Sequence, residues 1–122
     1  SALRAAAELG REVRAVVSRG GRPDLAMPVL DRVVSPTLLL VGGRDTDVLL
    51  LNRLAFDRLG ARKRLEIIPG ATHLFEEPGT LEEVADRAAE WFALHLREVA
   101  PAAAGEAARP REEEKPREIW RD

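Results

Sequence analysis

Three short apolar runs constrain this chain more than anything else in it: residues 13–17 (VRAVV), 37–41 (TLLLV) and 64–68 (RLEII). Each is followed by a break rich in glycine, and between the breaks the text takes a helical period. The middle run shows no apolar–polar alternation, which is the mark of a strand buried on both faces of a parallel sheet. Before the first run, residues 2–12 (ALRAAAELGRE) are rich in helix formers and stop near Gly10. A short helix is expected at about 24–33, with Leu25, Val29, Leu30 and Val33 on one side. A further helix is expected at about 46–59, where Val48, Leu51, Leu54, Ala55 and Leu59 recur with a period near 3.6 and Asp45 or Thr46 can cap the start. The clearest helix spans about 81–99: Thr80 and Glu83 have the spacing of a capping box, and the inward face reads Leu81, Val84, Ala85, Ala88, Trp91, Phe92, His95 and Leu96. Alternation of this kind predicts an α/β fold, three parallel strands with helices packed on the sheet.

Right-handed crossovers would point all three strands the same way, so the loops SRGG, GGRD and PGATH that leave their C-terminal ends share one edge. Ligand sites of open α/β sheets form along that edge. Two of these loops carry groups that can do chemistry, Asp45 after the second strand and His73 after the third, 28 positions apart with one helix between them. Neighbouring parallel strands lie about 4.8 Å apart, so a carboxylate on one loop can accept the Nδ1–H of an imidazole on the next and stabilise the imidazolium formed when the ring takes a proton. Two plainer readings stand beside this one. Asp45 is also suited to be a helix N-cap, and His73 to be an ordinary loop histidine. His95, on the inward side of the last helix, reads as a structural residue.

Composition narrows the possible functions. Seventeen of the 19 basic residues are arginine, yet they are scattered among 21 acids without forming a stripe, and the formal charge is −2, which argues against a nucleic-acid partner. With no cysteine and two histidines, neither a thiolate nucleophile within the chain nor a metal centre is expected, and the absence of disulfides suits a cytoplasmic setting. No apolar run approaches the roughly 18 residues of a membrane helix, so no membrane partner is expected. Gly20–Gly21 and Gly42–Gly43 follow strands, but neither extends to a dinucleotide or P-loop signature, and no cofactor is expected. Arg19, Arg22 and Arg44 lie near the ligand edge, where guanidinium groups can meet an anionic substrate or simply face water. From residue 100 the chain turns to PAAAGEAARPREEEKPREIWRD, with only Ile119 and Trp120 as large apolar groups, so 100–122 is expected to be a disordered charged tail after a domain at 1–99.

The segments PTLLLVGGRDTDVLLLN and RLEIIPGATHLFEEPGTLEEVADRAAEWFALHL together resemble the last third of an α/β-hydrolase, most closely the dienelactone hydrolase-like group. The resemblance covers about residues 1–99. It matches Gly42, Gly43, Arg44 and Asp45 to the setting of the triad acid, and Gly70, Ala71, Thr72 and His73 to that of the catalytic histidine. It implies a hydrolase of ester, lactone or similar acyl bonds in a small-molecule substrate, with Asp45 and His73 as acid and base.

The nucleophile that such a fold requires, a Ser or Cys in a Gly-x-Ser-x-Gly type turn, is not matched. Ser18 precedes Asp45 and His73 in the right order, but the elbow needs small residues on both sides, and Val16 stands where one should be. Ser1 falls in a helical pattern and Ser35 precedes Pro36, neither of which is an elbow. The expectation is therefore a C-terminal portion of a hydrolase domain whose elbow and oxyanion loop lie before Ser1, with the missing N-terminal half as its partner. The alternative is a noncatalytic binding or interaction module derived from a hydrolase. A sheet of three strands would also leave an open, apolar edge on the side where the absent strands would pair.

Overall fold

The computed structural model describes residues 1–97 and 117–121, the last five by their backbone. Helix α1 (Ala2–Leu9) runs through a 3-10 turn into strand β1 (Val13–Arg19). A 3-10 helix (Pro23–Arg32) leads to β2 (Thr37–Gly42), α2 (Thr46–Arg58), β3 (Lys63–Ile68) and α3 (Thr80–Arg97). Strands β1, β2 and β3 are parallel, with Val16 opposite Thr37 and Thr37 opposite Lys63, so the three strands alternate with helices as the sequence predicts. The segment at 23–32 is a 3-10 helix with Pro28, which has no N–H to donate, in its interior.

The all-apolar strands are explained by a core on each side of the sheet. Val16 and Leu39 face α1, the 3-10 helix and α2, where they meet Leu3, Ala6, Leu30 and Ala55. Val17, Leu38 and Leu40 face α3 and pack with Val84, Ala88 and Trp91. Successive side chains of β2 thus alternate between two equally dry layers, and the sequence shows no polar face. Each buried leucine contributes roughly 1.5–3 kcal/mol relative to an exposed one. Helix α3 is further tied to β3 by Arg87, which donates to Glu66 and, one turn back, to Glu83. Burial opposes the guanidinium charge, but the two carboxylates hold it above its ordinary value.

Several local expectations are corrected. Leu54 is half exposed on α2, and the residue buried in its place is Asn52. Leu81 and Ala85 are exposed on α3, whose inward face is Val84, Ala88, Trp91 and His95. The capping box does not close: the Thr80 hydroxyl donates to the Glu77 carbonyl and the Glu83 carboxylate accepts from Arg87. The largest difference lies in the tail. Residues 117–121 form a fourth strand, β4 (Arg117–Arg121), parallel to β1, giving the order β3-β2-β1-β4 and covering one edge of the three-stranded sheet, where an open edge was expected on one side. The segment REIWR contains the tail's two large apolar residues and no glycine or proline, and an unpaired β1 edge offers it a ladder of backbone hydrogen bonds. The expectation of disorder for 100–116 and 122, and the last two residues of the predicted final helix, lie outside the described residues.

Candidate functional site

At the C-terminal ends of β1, β2 and β3 the three glycine-containing loops converge. The loop after β2 is laced to the loop after β3 through its backbone, with Gly43 N–H donating to Ile68 O and Arg44 N–H to Ala71 O, both at 2.9 Å. A side chain at Gly42 would be impossible here, because a Cβ would stand 2.4 Å from the Ala71 carbonyl oxygen. The loop after β1 comes equally near: a Cβ on Gly20, whose φ is +56°, would lie 3.3 Å from the Phe75 ring and 3.5 Å from His73 Nδ1. The glycines of these motifs are thus required by close approach as much as by turn geometry.

This packing brings together the two residues singled out in the sequence. His73 Nδ1 lies 3.0 Å from Asp45 Oδ2. The imidazole is about half exposed, at 52%, whereas the carboxylate is largely covered, at 16%. Asp45 does occupy the N-cap position of α2, but its side chain makes no cap hydrogen bond. Its Oδ2 lies against the histidine instead. With Nδ1 donating to the carboxylate, Nε2 is the nitrogen left to accept a proton.

Around the pair, the structure adds residues that the sequence reading missed. Thr72 donates to Glu77 twice, from its N–H at 3.0 Å and from its hydroxyl at 2.6 Å. These bonds to Thr72, with Arg44 nearby, hold the Glu77 carboxyl below its ordinary value. Phe75 takes a left-handed conformation (φ 54°) that turns its ring into the core, its N–H donating to Thr72 O. Asn52 reaches from α2 to Gly21 O at a long 3.5 Å, and its Oδ1 is buried without a hydrogen-bond partner among the described residues. The glutamate and threonine five positions apart in THLFEE carried a weak signal for a tied loop; nothing marked Asn52.

Ser18 is buried within β1 and faces no elbow. Arg44 is exposed. His95 is buried at the far end of the molecule, its ring 4.0 Å from that of Trp91. No group of three or more His, Asp or Glu side chains gathers to hold a metal among the described residues, and no described helix is long and apolar enough to cross a membrane.

The chain is 57% identical to a dienelactone hydrolase from Anabaena variabilis of known crystal structure, with a TM-score of 0.75 over 76% of this chain and 43% of that one. It therefore carries part of the α/β fold of a dienelactone hydrolase. It is also 60% identical, over 96 residues, to proteins of two Mycobacterium tuberculosis strains named "Putative phosphoribosyl transferase". That match takes in 79% of this chain but 22% of theirs, so the chain spans about a fifth of the length of the curated relatives it matches. No protein-family description matches it.

Proposed function

We propose that this chain contributes the acid and the base of a hydrolase acting on ester, lactone or similar acyl bonds in small molecules. The observation carrying this reading is the 3.0 Å contact between Asp45 Oδ2 and His73 Nδ1, made by a carboxylate that leaves its helix uncapped to reach the ring. In this reading His73 Nε2 takes the proton of a Ser or Cys nucleophile as it attacks the acyl carbon, and Asp45 stabilises the resulting imidazolium. Collapse of the tetrahedral adduct expels the leaving group, which takes the proton back from His73. Water then repeats the sequence, regenerating the nucleophile and releasing the acid. The nucleophile and the two N–H donors of an oxyanion hole come from a segment outside this chain, the N-terminal half of the domain.

The names of the mycobacterial relatives raise phosphoryl-group binding as a competing role, but the loops here are ill suited to it. The amides of Gly20, Gly43 and Arg44, which a phosphate would need, already donate to Leu40, Ile68 and Ala71. The open side of Gly42 faces the carbonyl oxygens of Ala71 and Thr72, which repel an anion.

The test uses the complete protein. A fluorophosphonate probe, with iodoacetamide for a cysteine, should label it, and His73→Ala should lower both labelling and ester turnover by on the order of 10³-fold or more. Full turnover in that variant would overturn the assignment.

A further inference from the structure

Resting on the assignment of Asp45 and His73 as a working pair, we infer that Glu77 is a positioning residue for His73, acting through its neighbour Thr72. His73 stands on a four-residue turn, Thr72–Phe75, whose exposed half would swing freely if nothing held it. Phe75 fixes one end by burying its ring behind the turn, beside Gly20. Glu77 fixes the other, since both of its carboxylate oxygens accept from Thr72, the residue that carries His73. Charge-assisted bonds of this kind are short and directional, so two of them on one residue leave the turn little freedom. Glu77 is itself anchored: its carbonyl accepts from both the N–H and the hydroxyl of Thr80 at the start of α3. One glutamate thus ties the turn that carries His73 to the start of α3, although its carboxylate touches neither the ring of His73 nor the carboxyl of Asp45. A side chain held within about half an ångström of its productive place needs such support.

The experiment is a measurement of the His73 ring nitrogens by long-range ¹H–¹⁵N NMR on the full chain, at a pH where the imidazole is neutral. The Nδ1–H tautomer required by the Asp45 contact should dominate in the wild type. In Glu77→Ala it should fall by about threefold or more relative to the Nε2–H form, with the His95 ring signals unmoved. Thr72→Val, which removes one donor at constant shape, should give a smaller change in the same direction, and Thr72→Ser should restore the wild-type ratio. If Glu77→Ala does not fold, the two Thr72 variants decide the matter alone. An unchanged tautomer ratio in Glu77→Ala, or in Thr72→Val where that variant must decide, overturns the inference. Asp45→Ala, which removes the acceptor, separates the two readings: if it shifts the ratio while the Glu77 and Thr72 variants do not, only the positioning role falls. If Asp45→Ala itself changes nothing, the pair is not formed in solution and both fall together.

Discussion

The two histidines sit at opposite ends of the same sheet and show what placement does to one side chain. His73 follows β3, where the strands end in glycine loops, and is half exposed with its Nδ1 on a carboxylate. His95 lies near the end of α3, by the strand starts, tilted against Trp91 beneath a cleft of about 480 Å³ that Arg11, Arg14 and Ser35 also line. Trp91 in turn donates its indole N–H to Pro36 O, pinning this end of α3 to the start of β2. A buried aromatic pair holds helix to sheet; an exposed imidazole with a charged partner adds little to stability but can move a proton. This cleft lies away from the Asp45–His73 pair.

Substitutions can break this contrast or sharpen it. The largest effect is expected at the site edge but from its backbone: Gly42→Ala should destabilise by about 3 kcal/mol, because the colliding atoms are main-chain carbonyls that cannot rotate away. Gly60→Ala, where a Cβ meets nothing within 4 Å, should stay within about 0.5 kcal/mol of wild type in the same urea titration. Next comes His95→Ala, expected to cost roughly 2 kcal/mol through lost packing against Trp91. His73→Ala should leave the urea midpoint within about 0.5 kcal/mol of the wild type, although it removes the proposed base. A cost at His73 equal to that at His95 would erase the distinction between the two ends.

The smallest effect concerns acid. Because the hydrogen bonds from Thr72 lower the Glu77 value in the folded chain, the carboxylate contributes fully above the ordinary glutamate range, and its contribution is lost as pH falls through the lowered value. The Thr72 amide resonance should therefore titrate at a lower pH than a glutamate in a short peptide of the same sequence. Coincident midpoints would mean that the Thr72–Glu77 clamp is absent in solution.

Much of the fold was legible because it rests on local signals: β-branched and leucine runs for the strands, a 3.6 period for the helices, and glycine at each strand end. Where packing overrode period, the reading went astray, as with Leu54 and Leu81, which have the right spacing for burial but stay about half exposed because no described element covers them. Asn52 is the converse, a polar residue buried because α2 presses that face onto the loop after β1. The strand at 117–121 was hidden for a similar reason, since five residues in a charged tail form a strand only when a neighbouring edge offers hydrogen bonds.

The order of elements, the parallel sheet and the placement of Asp45 and His73 on neighbouring strand-end loops belong to the sequence by itself, because side-chain period, turn chemistry and chain handedness act over a few residues at a time. That Asp45 turns from its own helix to His73, that Glu77 holds Thr72, and that β4 closes the edge of β1 were decided only by the tertiary structure. Each depends on two segments far apart in the chain being brought within about 3 Å, the reach of a hydrogen bond, and no local preference encodes that distance.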